Sequence, residues 1–149
     1  MLNRISHRGP DGLFYHKQDH IAFGHARLSI IDLSTNANQP MIDNASGNII
    51  VFNGEIYNYL EIKKAIGSQY NFQTDSDTEV ILAAYAVYGM KFLSHLRGMF
   101  AFALFDKQSG NVLIARDRFG IKPFYYRKSG DKFLFASEIK SLDKFQIIK

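Results

Sequence analysis

The sequence predicts an α+β domain in which antiparallel sheet and helix pack as layers. Three observations carry this. The last third of the 149 residues alternates apolar and smaller side chains between turns, the pattern of hairpins. The middle third holds apolar positions at helical spacing, bounded by start and stop signals. Regular Gly, Asn and Asp punctuation with no repeat, linker or low-complexity stretch makes residues 1–149 one domain.

Taken in order, residues 7–12 (HRGPDG) form a turn by their Gly, Pro and Asp content. Residues 21–24 and 28–31 read as short strands flanking His25. Residues 48–52 (NIIVF) are apolar and β-branched, a buried strand. Residues 58–66 read as a helix, with Asn58 and Glu61 as a capping-box-like pair and Gly67 as the stop. Residues 76–88 are the clearest helix. Ser76 and Glu79 form an S-x-x-E box, Val80, Ala83, Ala84, Val87 and Tyr88 recur on one face, and Gly89 ends it. A shorter helix over 91–96 stops before Gly98. Residues 99–105 and 111–115 form a hairpin around a turn at 106–110. Residues 124–127 and 133–135 form another around Ser129-Gly130, and 137–142 read as a short final helix.

Composition narrows the function classes. Apolar residues at 46% and charged residues at 21% describe a globular chain. The longest apolar runs fall far below the ~20 residues that span a bilayer, so no membrane is expected as a partner. Neither a basic, then apolar leader nor any cysteine is present, which predicts a cytoplasmic setting and excludes disulfides, Cys-ligated zinc and thiol chemistry within the chain. Net charge is +4, split as −2 over residues 1–106 and +6 over 107–149. The basic residues are scattered among strand-like segments, so a solvated face is the reading, and no nucleic acid.

Three places carry chemistry. Asn53-Gly54-Glu55 follows the buried strand directly. An Asn side-chain amide beside a Gly N–H supplies the two converging donors of an oxyanion hole, or else forms an ordinary turn. Arg27 is framed by apolar residues, and its permanent charge asks for a partner. That partner is either an internal carboxylate or a ligand carboxylate held bidentately. Asp77 in the first turn of the 76–88 helix either answers the helix dipole or holds a ligand ammonium. His7 in the 7–12 turn is either a base or ligand or a satisfied polar contact, and His16, His20 and His25 lack any H-E-x-x-H spacing, so no metal site is expected. Ser6 and His7 are sequence neighbours that point apart on an extended chain, and they form no dyad.

Taken together, HRGPDG (7–12), GHARLSIIDLS (24–34), NQPM (38–41), VFNGEIYN (51–58), FQTDSDTEVILAAY (72–85), LRGMFAFALFD (96–106), ARDRFGIKPFYY (115–126) and FASEIKSL (135–142) occur in order. The chain resembles the glutaminase domain of glutamine-hydrolysing asparagine synthetase, a class II glutamine amidotransferase. The likeness runs from about Ile5 to Leu142. It implies an N-terminal-nucleophile hydrolase-like four-layer αββα sandwich with antiparallel sheets, its first strand missing.

The resemblance also implies roles. Arg27 grips the α-carboxylate of L-glutamine, and the backbone of Leu28, Ser29, Ile30 and Ile31 lines the pocket. Asn53 and Gly54 form the oxyanion hole, while Glu55 and Asp77 hold the α-ammonium. In the family a mature N-terminal Cys attacks the glutamine amide, and a synthetase domain uses ATP and Mg to convert aspartate to asparagine with the ammonia released. Here the nucleophile is missing and no cofactor is expected in the chain itself. The expectation is a domain truncated at both ends and inactive as it stands, partnered by L-glutamine and a synthetase domain. The alternative is a non-catalytic glutamine-binding or partner-binding protein, or a paralogue amidating a sugar or other acceptor.

Overall fold

The computed structural model describes residues 1–143. A 3-10 segment, Leu2–Arg8, leads into strands β1 (Gly12–Gln18) and β2 (Ile21–Arg27). A loop then reaches β3 (Met41–Ile42) and β4 (Ile49–Ile56). Helices α1 (Tyr59–Ile66) and α2 (Asp77–Tyr88) follow, then the 3-10 segment Gly89–His95. Strands β5 (Gly98–Asp106), β6 (Asn111–Arg116), β7 (Tyr125–Ser129) and β8 (Lys132–Ala136) complete the sheets, with a 3-10 turn at Ile139–Ser141.

The centre is the antiparallel sheet β3-β4-β5-β6. Side chains alternate across a strand, so β4 and β5 each serve two cores. Ile50, Phe52 and Ile56 of β4 and Phe100, Phe102 and Leu104 of β5 pack with Ile62, Ile66, Val80, Ile81 and Phe92 on the helical side. Ile49 and Val51 of β4 and Ala103 and Phe105 of β5 face the other way, against Ile21 and Phe23 of β2, with Phe135 of β8 beside them. Both faces being covered explains why residues 49–52 are continuously apolar rather than alternating.

The second sheet layer consists of two separate hairpins, β1-β2 and β7-β8. Phe23 and Phe135 meet edge to face between them, ring centroids 5.8 Å apart. Leu2 lies over Gly24, on the face of β2 turned away from Phe23, so the 3-10 segment Leu2–Arg8 covers that outer side. Helices, sheet, paired hairpins and this outer cover together form an α+β sandwich of antiparallel sheets.

Several elements differ from expectation for identifiable reasons. Ile21–Arg27 is one strand running through His25, in seven-residue register with β1, a strand that the mixed polarity of 12–18 conceals. Residues 28–31 are loop, not strand, because the Arg27 guanidinium draws in the carbonyls of Asp32 and Ser34 while Asp11 takes the Ser29 N–H. Asn58 precedes α1 without capping it: its amide donates to the His95 carbonyl and its oxygen accepts from the Arg97 N–H. Ser76 does cap α2 through the Thr78 N–H, but the buried Glu79 accepts from the N–H groups of Gln73 and Thr74 instead of the Ser76 N–H. Residues 91–95 lie in the 3-10 segment Gly89–His95 rather than in an α-helix, with Leu96 extended just beyond it, and of residues 137–142 only Ile139–Ser141 are helical, as a separate 3-10 turn. The two hairpins of the last third lie where the alternation puts them.

Candidate functional site

Between the central sheet and the hairpin layer lies a cavity of about 810 Å³. Its floor follows from strand register. Val51 pairs with Ala103 and Asn53 with Ala101, so small β5 side chains stand beside these two positions of β4 and leave room above them. Asn53 and Glu55 share the face of Ile49 and Val51, which turns toward that space. Asn53-Gly54-Glu55 is therefore the end of a paired strand and not the turn that its composition suggests. Gly54 is required there by contact, since a Cβ would run into the Met99 carbonyl oxygen and the Phe100 Cα of β5.

Arg27 ends β2 and is 8% exposed. Its Nη1 donates to Asn38 Oδ1 at 2.6 Å, and its Nη2 donates to the Asp32 and Ser34 carbonyls, each at 2.8 Å. All three acceptors are neutral. Among the described residues no carboxylate lies in ion-pair contact with this guanidinium, so the internal salt bridge is not made. A buried cation held only by neutral oxygens leaves its charge available to an anionic ligand.

Asp77 opens α2 and is 6% exposed. Burial pushes its pKa up to about 6, against the opposing hydrogen bond from the Ile56 N–H at 3.0 Å, and the charge of Glu55 raises it further. A carboxylate held so unfavourably in this cavity gains most from an incoming cation.

The cavity is lined by Arg27, by Leu28, Ser29, Ile30 and Ile31 of the following loop, by Asn53, Gly54 and Glu55 of β4, and by Asp77 of α2. The structure thus brings all nine sequence-selected residues to one space. It adds three more. Gln39 donates to Thr78 Oγ1 at 3.1 Å and accepts from the Phe52 N–H at 2.6 Å, bracing α2 against β4. Ser137, after β8, accepts from Asn53 Nδ2 at 3.4 Å. His25 has a buried Nδ1 without a partner among the described residues, and burial, with Arg27 adding, pushes its pKa down to about 4. These three stand alone in sequence, with no spacing that ties them to the Asn53 strand. Membership of the NQPM, FASEIKSL and GHARLSIIDLS strings was the one signal available.

The arrangement presents one cation, two carboxylates and an amide donor beside a glycine N–H around a cavity. That is the complement of a zwitterion carrying a polar carbonyl. Among the described residues no group of three or more His, Cys, Asp or Glu side chains is placed to hold a metal ion. None of the described helices is long and apolar enough to cross a membrane.

Comparison with known proteins agrees with this geometry. A family model described as a glutamine amidotransferase domain matches residues 1–149. Asparagine synthetase [glutamine-hydrolyzing] 1 of Bacillus subtilis is 49% identical over 143 residues, which cover 95% of this chain and 22% of that protein. Amidase chry2 of Gibberella zeae is 46% identical over 146 residues, covering 97% of this chain and 22% of its own length. Asparagine synthetase B of Escherichia coli is 44% identical over 144 residues, covering 95% and 26%. The chain thus spans roughly a quarter of the length of these relatives. Among solved structures, the glutamine phosphoribosylpyrophosphate amidotransferase of B. subtilis, an N-terminal-nucleophile hydrolase, superposes with a TM-score of 0.69 at 27% identity, covering 82% of this chain and 28% of that one. The chain belongs to the glutamine amidotransferase domain family and is homologous to the glutaminase domain of the glutamine-hydrolysing asparagine synthetases.

Proposed function

We propose that the cavity binds L-glutamine, with Arg27 on the α-carboxylate, Glu55 and Asp77 on the α-ammonium, and Asn53 Nδ2 with the Gly54 N–H on the side-chain amide oxygen. The observation that carries this reading is the buried Arg27 guanidinium, bonded only to neutral oxygens, in the same cavity as a carboxylate whose pKa burial has raised. A free amino acid satisfies both at once, each charge meeting its opposite in a desolvated space where such pairs are strong. The donors at Asn53 and Gly54 would stabilise negative charge developing on the amide oxygen during attack.

In the whole protein the parent reaction is glutamine hydrolysis feeding ammonia to the ATP-dependent conversion of aspartate to asparagine. The similarity to the asparagine synthetases supports it. ATP and Mg serve the synthetase part of such a protein, which is the partner of this domain.

Calorimetric titration of the folded chain with L-glutamine tests this. One site per chain is expected. Arg27→Ala should weaken binding by at least ~30-fold, the cost of truncating one partner of a desolvated charge pair. Absence of heat with folded protein, or an unchanged affinity in the variant, contradicts the assignment.

A further inference from the structure

Arg27 and Asp77 lie on different elements, and glutamine can bridge them only if their separation is held. Arg27 ends β2, and Asp77 begins α2 fifty residues later. One side chain touches the supports of both. Asp32, in the loop after β2, accepts the Ser34 N–H on Oδ1 at 2.8 Å and the Asp75 N–H on Oδ2 at 3.1 Å. The first bond closes a tight turn over 32–34. That turn aims two carbonyls, those of Asp32 and Ser34, at the same Nη2 of Arg27. The second bond fastens the turn to the residue two places before Asp77. Ser76 between them caps the helix through the Thr78 N–H. From the far side, Lys63 of α1 holds the same segment through the Thr74 carbonyl at 2.9 Å and Asp75 Oδ1 at 2.8 Å.

We propose that Asp32 is a positioning residue that sets the distance between the carboxylate-gripping Arg27 and the ammonium-holding Asp77, coupling the two ends of the amino-acid site through its two carboxylate oxygens. It makes no ion pair with Arg27 among the described residues; its action runs through backbone groups that Arg27 and α2 depend on. Both carboxylate oxygens are hydrogen-bonded to N–H groups, which favours the charged form and holds its pKa below the usual range, the bonds to Ser34 leading. The role needs two acceptors on one short side chain. Asparagine supplies one, and alanine none.

This inference rests on the glutamine-binding reading, and the test separates the two. The 15N-labelled chain and its Asp32→Ala and Asp32→Asn variants are titrated with L-glutamine, and the Arg27 Nε–Hε and Asp75 amide signals are followed without ligand. Asp32→Ala is expected to bind glutamine about tenfold more weakly, the scale of losing hydrogen bonds to a charged group, and to shift the Arg27 Nε–Hε signal. Asp32→Asn, which keeps an acceptor for Ser34, should release Asp75 while moving Arg27 less, with an affinity between the other two. A folded Asp32→Ala chain that binds within twofold of the parent overturns the proposal. So does one that melts earlier while its Arg27 signal stays in place, since that is a structural role alone. If the parent chain itself binds no glutamine, the glutamine assignment fails. The Arg27 signal then decides the positioning role on its own, unmoved in Asp32→Ala refuting it and shifted supporting it.

Discussion

Titrating Asp77 should switch glutamine binding within an accessible pH range. Its pKa is pushed up to about 6, with burial as the main cause. The α-ammonium pairs with the ionised carboxylate, so affinity follows the ionised fraction of the free protein. With a pKa of about 6, that fraction is about ten-elevenths at pH 7 and about one-eleventh at pH 5. Binding should therefore weaken about tenfold from pH 7 to pH 5, or about 1.4 kcal/mol. Calorimetry at pH 5, 6 and 7, in buffers of different ionisation heat, reads both the affinity and the proton released when ammonium forces ionisation at pH 5. Asp77→Asn should bind weakly with a flat profile. The sign for stability is opposite to the usual carboxylate case. The folded pKa lies above the unfolded one, so the group's stabilising contribution is present below about pH 3.8 and is lost as pH rises through about 6. The unliganded Asp77→Asn chain should accordingly be no less stable than the parent at pH 8. A constant affinity from pH 5 to 7, or a slope that survives in Asp77→Asn, refutes the placing of the ammonium at this carboxylate.

Two further substitutions probe the scaffold. Gly54→Ala drives a methyl group into the β5 backbone at Met99 and Phe100, so β4 and β5 must part; a loss of ~1–3 kcal/mol in denaturant unfolding is expected, with glutamine binding abolished. Phe92→Ala empties a fully buried site between the rings of Tyr85 and Phe102, on the helical side of the sheet, and should cost ~3–5 kcal/mol while the folded fraction keeps its glutamine affinity.

Local signals in the sequence were followed where nothing distant competed with them. The Ser76 cap of α2 and the β5–β6 hairpin depend on neighbours in sequence, and they appear as written, whereas α2 is buried all round over residues 77–84 instead of on one face, because tertiary neighbours cover it. Asn58 and Glu79 have the right types for capping boxes, but other backbone groups claim their side chains: Arg97 N–H and the His95 carbonyl for one, Gln73 and Thr74 N–H for the other. Asn53-Gly54 has turn composition, yet Met99 and Phe100 of β5, some forty-five residues away, hold it in a strand. The same distance problem governs the cavity. Each of Arg27, Asn53, Glu55 and Asp77 was noticeable singly, but only the pairing of β4 with β5 and the docking of α2 bring them round one space. Gln39, Ser137 and Asp32 act through isolated long-range bonds, for which no pattern in one chain exists.

The most direct measurement is a crystal structure of the chain soaked with L-glutamine at pH 7. The account predicts one molecule in the cavity, its carboxylate on the Arg27 guanidinium, its ammonium against Asp77 and Glu55, and its amide oxygen at Asn53 Nδ2 and the Gly54 N–H. Glutamine bound elsewhere, or in this cavity with its carboxylate away from Arg27, contradicts it.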